Sequence, residues 1–148
     1  MFKTGHIYYF AAFKFKNGDD PKEKYFIVLK ETKDKVLIGT LPTRTNKIPS
    51  FVDKDHGCIN IDERQYNCYL FKKGQTVCTN GFGFDMPTFV YGSDLDYYPK
   101  DRFIQDHPIE GTDFICQGEL NKEEFNNLLD CFIKSAAVKR GIKRALAA

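Results

Sequence analysis

Residues 24–45, KYFIVLKETKDKVLIGTLPTRT, contain two apolar runs separated by a short polar segment. Runs of this length, rich in β-branched and aromatic residues and bounded by polar turns, are typical of buried β-strands. The second run ends in Pro42, Thr43, Arg44 and Thr45, so hydroxyl and cationic groups follow one strand end. The pattern predicts two paired antiparallel strands. It leaves two interpretations of their polar end, an ordinary strand stop or the rim of a site for an anion.

The composition around this stretch predicts one mainly β domain spanning 1–148. The chain has 148 residues, the usual size of one domain, and 42% of them are hydrophobic, enough to fill one core. Fourteen phenylalanines and eight tyrosines without any tryptophan favour strands. Lysine plus arginine number 22 against 20 acidic residues, so the net charge of +2 neither requires nor excludes nucleic acid as a partner.

The outer parts of the chain predict the remaining core elements. Residues 5–15, GHIYYFAAFKF, form an apolar run that predicts a first strand before the Asn17-Gly18 turn signal. We expect strands at 7–10, 25–29 and 36–41 to be neighbours in one curved sheet. Asn121 followed by Glu124 resembles a helix-capping box. The helix after it has one apolar stripe, expected to pack on that sheet, made of Phe125, Leu128, Leu129, Phe132 and Ile133.

The middle of the chain, 50–106, has the weakest patterning and is expected to form a long irregular insertion. Short apolar stretches at 58–61, 67–71 and 90–91 are consistent with strands. Residues 94–111 contain Pro99 and Pro108, which favour irregular structure. Together, several short strands and one terminal helix predict a small, curved β-barrel or half-barrel with a helix packed on it.

The sequence predicts a cytoplasmic protein without disulfides, cofactors or a membrane span. No apolar stretch is long enough to cross a bilayer, and charged residues rather than a cleavage site follow the apolar run at 7–13. An odd number of cysteines, five, without tight pairing does not resemble a disulfide framework. His56, Cys58, Cys68 and Cys78 leave zinc as an alternative, but their spacings of two, ten and ten are unlike structural zinc sites. We therefore expect no bound metal.

Four stretches, in order along the chain, resemble the MazF/PemK-like toxin family. They are KTGHIYYFAAF, KEKYFIVLK, VLIGTLPT and FICQGELNKEEFNNLLDCFIKS, which are spread over both ends of the chain. The resemblance implies an SH3-like barrel and a homodimer. It also implies cleavage of single-stranded RNA without a metal, through the RNA's own 2′-hydroxyl, and inhibition by a cognate antitoxin protein. The segment at about 50–106 has no counterpart in the family.

The same resemblance points to site residues at the strand ends. The family has an arginine followed by a proline at the head of its second strand, where this chain has Lys24 and Tyr25, and it has a threonine at the position of Thr43. The resemblance thus makes Lys24 and Thr43 the candidate catalytic pair. Candidate substrate-binding residues nearby in sequence are Lys22, Glu23 and Arg44.

Other interpretations of these residues stay open on the sequence alone. A lysine at a strand start is commonly solvated, and a threonine after a proline commonly bonds its own backbone. Where the family has the planar guanidinium of arginine with its several donors, Lys24 has a hydrated point charge. This difference puts catalysis in question more than phosphate binding. Two alternatives to a ribonuclease therefore remain. They are a non-catalytic module that binds RNA or protein on the same barrel, and a zinc-stabilised interaction domain.

Overall fold

A computed structural model describes residues 2–15, 17–41 and 55–148. Within these residues, eight strands and three α-helices follow one another. They are β1 (His6–Phe13), β2 (Lys22–Glu31), β3 (Lys35–Leu41), β4 (Gly57–Ile61), β5 (Tyr66–Phe71), β6 (Thr88–Tyr91), β7 (Asp96–Pro99), α1 (Lys100–Asp106), β8 (Ile115–Glu119), α2 (Lys122–Ile133) and α3 (Arg140–Ala147), with 3-10 turns at Asp62–Arg64 and Gly92–Asp94.

The larger sheet has five strands in the order β7-β3-β2-β1-β8. Its centre is the antiparallel trio β1, β2 and β3, so the prediction that these strands are neighbours is confirmed. Ile27 pairs with Ile7 on β1 and with Gly39 on β3. The pairing of β1 with β2 shifts register between Phe10 and Phe13, where the two exposed alanines of the AAF sequence lie. This irregularity bends the first strand.

A second, three-stranded antiparallel sheet has the order β4-β5-β6. The chain is therefore mainly β, of the α+β class, and in the described residues the two sheets do not join into a closed barrel. The sheets meet where β3 crosses β6. A Cβ atom added at Gly39 would lie 2.7 Å from Val90 Cγ1, so glycine permits the close approach of the two sheets at this point.

An aromatic core covers the other face of the larger sheet. Phe10 and Phe26 lie on neighbouring strands with ring centroids 4.7 Å apart, and Phe103 of α1 packs on both. Phe2 lies 4.4 Å from Phe103, centroid to centroid. All four rings are buried, so the phenylalanine-rich composition is explained by a core of stacked and edge-on rings.

The segment expected to be a long irregular insertion is largely regular where it is described, which corrects the expectation. It contains β4 to β7 and α1. The strands expected at 58–61, 67–71 and 90–91 are confirmed as β4, β5 and β6. The unexpected elements are β7 and α1, which lie in the stretch 94–111 that was expected to be irregular. Pro99, taken as a breaker, is the N-cap of α1, a position at which its fixed φ of −61° causes no conflict.

Helix α2 begins as predicted but packs elsewhere. Glu124 N–H donates to the side chain of Asn121 at 2.8 Å, which confirms the N-cap. Leu128 and Phe132 of the stripe are buried, as predicted, in the main core. The strands that α2 contacts most are nevertheless β4 and β5, so the helix lies mainly on the smaller sheet. No helix in the described ranges is long and apolar enough to cross a membrane.

The prediction of no disulfide is wrong. Cys58 of β4 and Cys131 of α2 form a disulfide, with their Cα atoms 5.4 Å apart. They are 73 residues apart in sequence, so their spacing gives no sign that the fold brings them together. Cys68 and Cys78 are free and buried, and Cys116 is free and exposed. The bridge fastens α2 to the smaller sheet on which it packs.

Candidate functional site

Lys24 lies at the start of β2, beside the end of β3. It pairs with Phe10 of β1, and its neighbour Tyr25 pairs with Leu41, the last residue of β3. The start of one strand and the end of the next are thus adjacent, as the antiparallel pairing predicts. Thr43 and Arg44 lie outside the described residues, so their proximity to Lys24 remains a prediction.

Side chains on β2 alternate between the two faces of the sheet, and this divides the predicted site residues. Lys22 and Lys24 share the face of Phe26. Glu23 lies on the opposite face, where the Tyr9 hydroxyl donates a hydrogen bond to it. The structure therefore brings Lys22 and Lys24 together and separates Glu23 from them, so Glu23 is not positioned to exchange a proton with Lys24.

The ammonium group of Lys24 is in an unfavourable electrostatic environment. Burial lowers the pKa of Lys24, the like charge of Lys22 lowers it further, and Asp94 acts in the opposite direction. Lys22 itself is exposed. A lysine whose pKa is lowered by burial and a neighbouring cation gives up its proton more readily than a solvated lysine, which suits proton transfer.

A pocket of about 430 Å³ lies on the same side of the larger sheet. Thr40 of β3 lines it and pairs with Phe26, whose face Lys24 shares. The polar residues that line it with Thr40 include Asn17, Asp19, Asp94, Asp96 and Lys139. We call it the acidic pocket, because three carboxylates face one cation. Such a lining favours a cationic ligand over a phosphate.

A second polar constellation joins β5, α2 and the residue before β4. Glu124 is buried and accepts two hydrogen bonds on one carboxylate oxygen, from the Tyr69 hydroxyl and from His56 Nε2 at 2.7 Å. His56 Nδ1 in turn accepts the backbone N–H of Lys72 at 3.0 Å. The imidazole is therefore neutral, with its proton on Nε2. Both ring nitrogens are occupied, so His56 has no lone pair available to act as a general base.

This network borders a pocket of about 270 Å³ that Gln75, Asn121 and Asn127 also line. Burial, and then the hydrogen bond to Glu124, raise the pKa of Tyr69. The sequence pattern placed Glu124 in a capping box, bonding back to the Asn121 N–H. That N–H donates instead to the Val77 carbonyl, which leaves the Glu124 side chain to reach His56 and Tyr69. The capping glutamate was visible in the sequence, but its partners on distant segments were not.

The zinc alternative required His56, Cys58, Cys68 and Cys78 to converge. Cys58 is bonded to Cys131, and His56 is hydrogen-bonded to Glu124. Over 2–15, 17–41 and 55–148, no three His, Cys, Asp or Glu residues are grouped so that they could hold a metal ion. Cys58 and His56 are thus used in structural contacts.

Of the predicted site residues that the structure describes, Glu23 lies on the opposite face of β2, and the pair Lys24 and Lys22 shares the face of Thr40. Chemically, this pair offers a half-buried cation with a lowered pKa and a second, exposed cation for an anionic group. Comparison of the chain with protein-family models gives no match, and comparison with curated proteins gives none either.

Proposed function

We propose that this chain is an endoribonuclease that cuts single-stranded RNA without a metal, on an SH3-like fold of the MazF/PemK-like kind. The proposal includes action in the cytoplasm, inhibition by a cognate antitoxin protein and assembly as a homodimer. It is supported by the arrangement of β1, β2 and β3 and by the lysine at the head of β2, where the family has an arginine. The Cys58–Cys131 disulfide is unusual for a reducing compartment and makes the cytoplasmic location the first part to test.

The reaction needs only groups that the RNA, the chain and the solvent supply. The RNA 2′-hydroxyl gives its proton to a water molecule, the 2′-oxygen bonds to phosphorus, the bond from phosphorus to the 5′-oxygen breaks, and that oxygen takes up a proton from the chain. Lys24 is the proposed proton donor to the leaving oxygen and the cation beside the phosphorane. Thr43 is proposed to orient the phosphate, and Lys22 and Arg44 to bind neighbouring phosphates. The products are a 2′,3′-cyclic phosphate and a 5′-hydroxyl.

The observation that carries the proposal is the placement of Lys24. It is half-buried at the end of a strand pair, shares its face with the exposed Lys22, and has a lowered pKa. A fully solvated strand end would leave the ammonium group without the burial that lowers its pKa here. A pKa lowered by burial and by a like charge is typical of lysines that transfer protons or stabilise charge during a reaction.

The test is cleavage of labelled single-stranded RNA in the presence of EDTA. Wild type is compared with Lys24→Ala, Thr43→Ala and, as a matched control, Lys33→Ala in the exposed turn between β2 and β3. Loss of an electrostatic partner of the transition state typically costs about 10²-fold or more in rate, so Lys24→Ala should fall by that factor and Lys33→Ala should not. Equal rates for Lys24→Ala and wild type would refute the assignment.

The acidic pocket favours a second candidate, a module that binds a basic protein segment without cutting RNA. Asp94 is both part of this pocket and the acid whose field reaches Lys24. Asp94→Asn separates the two candidates because it removes a negative charge. RNA affinity should rise with this variant if the site binds phosphates, whereas affinity for a lysine-rich peptide should fall if the site binds a basic segment.

A further inference from the structure

We propose that α3 and the turn before it form a phosphate-binding surface, separate from the Lys24 site, that binds the backbone of single-stranded RNA. We call it the basic surface, and its residues are Lys134, Lys139, Arg140, Lys143 and Arg144. The inference rests on the proposed function only for the identity of the nucleic acid. Binding of the phosphate backbone is a separate property with its own measurement.

The charge of the chain is distributed unevenly. The last 18 residues, 131–148, hold five of the 22 cations and none of the 20 acidic residues. The remaining 130 residues therefore carry 17 cations against 20 acids and are net negative. The small net charge of the chain thus conceals a concentrated basic segment. A local cluster of this kind attracts a polyanion even when the whole protein is nearly neutral.

Packing fixes this segment on the body of the protein. Ile142 and Leu146 of α3 are buried in the main core. Lys30 of β2 donates from Nζ to the Ala145 carbonyl at 2.6 Å, and Lys143 donates from Nζ to the Ser135 carbonyl at 3.0 Å. The helix is therefore anchored on its apolar side and at one carbonyl, and its basic residues belong to a folded surface.

Three exposed cations of this surface form no ion pair in the described residues, whereas Lys134 and Lys143 lie in the field of the Asp62 carboxylate. Lys139, Arg140 and Arg144 are exposed, and none forms an ion pair with a carboxylate of the described residues. Arg140 and Arg144 are four residues apart on one helix, an arrangement in which like charges destabilise the helix. An anionic partner would relieve this repulsion. Phosphate oxygens suit the planar donor fork of arginine.

Two neighbouring features define the limits of the surface. Asp62 accepts hydrogen bonds from Ala136 N–H at 3.1 Å and from the Asn60 side chain at 3.0 Å, so this carboxylate is used to hold the turn before α3. Lys139 also lines the acidic pocket, together with Thr40. The basic surface therefore adjoins the side of the larger sheet on which Lys24 lies.

A membrane is a poorer partner for this helix than nucleic acid. Basic amphipathic helices bind bilayers by burying their apolar face among lipids. In α3 the apolar residues Ile142 and Leu146 are already buried against the protein. The charged side alone remains available, which fits a phosphate backbone and not insertion into a bilayer.

The test measures binding of a single-stranded oligonucleotide with 2′-deoxy sugars, which keeps the phosphates but lacks the hydroxyl needed for cleavage. The variant Lys139→Gln/Arg140→Gln/Arg144→Gln is compared with Lys33→Gln/Lys73→Gln/Lys122→Gln, which removes the same charge from exposed lysines elsewhere. For single strands, each lost phosphate contact lowers the slope of log affinity against log salt by about 0.7, so the first variant should lose about 2. The control variant should keep the wild-type slope. Arg144→Gln alone should lose about 0.7 and serves if the triple variant unfolds.

Each outcome decides a different point. Equal affinity and slope for the two triple variants would overturn the basic surface. If wild type binds the oligonucleotide through this surface but leaves RNA intact, the proposed function fails and the basic surface stands. If RNA is cut while the first triple variant binds like the control, the proposed function stands and the basic surface fails. If the first triple variant loses the binding to phosphatidylserine vesicles that wild type shows, while its oligonucleotide binding is unchanged, the surface binds membranes and the proposal is overturned.

Discussion

His107 is buried in the aromatic core, where the neighbouring rings carry no charge that could stabilise a protonated imidazole. It is buried, stacks on Phe13 at 5.4 Å between ring centroids, and meets Phe10 edge-on at 4.7 Å. Nε2 accepts the backbone N–H of Lys14 at 3.2 Å, while Nδ1 is buried without a hydrogen-bond partner in the described residues. Burial lowers the pKa of His107, Lys14 adds to this effect, and Asp106 and Asp113 oppose it.

This environment predicts how stability depends on pH. Because the pKa is below 6.5 in the folded state and near 6.5 in the unfolded state, the unfolded state binds protons more readily as the pH falls. The free energy of unfolding should therefore decrease below about pH 6.5, by at most about 1.4 kcal/mol per pH unit for this one group. His107→Phe should remove that part of the decrease.

Urea unfolding at pH 7.5 and 5.5 measures the effect. The control is His6→Gln, on a partly buried histidine of β1 that should leave the pH dependence of wild type largely intact. An identical loss of stability between the two pH values in wild type and His107→Phe would show that His107 does not cause it.

Residue by residue, the sequence predicted some of the candidate site and missed the rest. The adjacency of the start of β2 and the end of β3 followed from strand pairing, and the pairing of Tyr25 with Leu41 shows it. The separation of Glu23 from Lys24 also follows from alternation along a strand, although proximity in sequence suggested the opposite. The acidic pocket could not be foreseen, since Asp19 is about 75 residues away in sequence from Asp94 and Asp96.

At the scale of elements, the sequence predicted a strand or helix best where the element is long and its pattern lies within a few neighbouring residues. The seven- to ten-residue strands β1 to β3 and the capped helix α2 were recognisable because their patterns span several residues. Short apolar stretches also indicated β4, β5 and β6, whereas the four-residue β7 depends on its pairing with β3, a distant part of the chain that no local window contains. The surface on which α2 packs could not be predicted for the same reason, because β4 and β5 are distant from α2 in sequence.

The disulfide between β4 and α2 gives the element-scale prediction. In the chain-entropy model, a disulfide between residues 73 apart lowers the conformational entropy of the unfolded chain and so raises the free energy of unfolding by about 4 kcal/mol. Reduction should therefore lower the urea midpoint substantially. Alkylation in denaturant without reductant should label three of the five cysteines, and prior reduction should make all five reactive. Cys116→Ser, at an exposed free thiol, is the control and should leave the midpoint unchanged. Five labelled cysteines without reductant would show that the bridge is absent.

Across the whole molecule, the larger sheet and helix α3 carry two separate cationic regions. The larger sheet holds Lys22 and Lys24 at the head of β2, and α3 adds the basic surface beside the acidic pocket. Composition alone, with a net charge of +2, did not separate these regions. The proposed ribonuclease uses the first cationic region for chemistry and the second for holding the RNA backbone.

The most direct test of the central claim is mass spectrometry of the ends produced when purified protein is incubated with single-stranded RNA in EDTA. Attack by the RNA's own 2′-hydroxyl predicts fragments with a 2′,3′-cyclic phosphate and a 5′-hydroxyl. These fragments should be absent when the substrate carries 2′-deoxy sugars, and reduced about 10²-fold or more with Lys24→Ala. RNA that remains intact with wild type, or fragments that carry 5′-phosphates, would contradict the proposed ribonuclease.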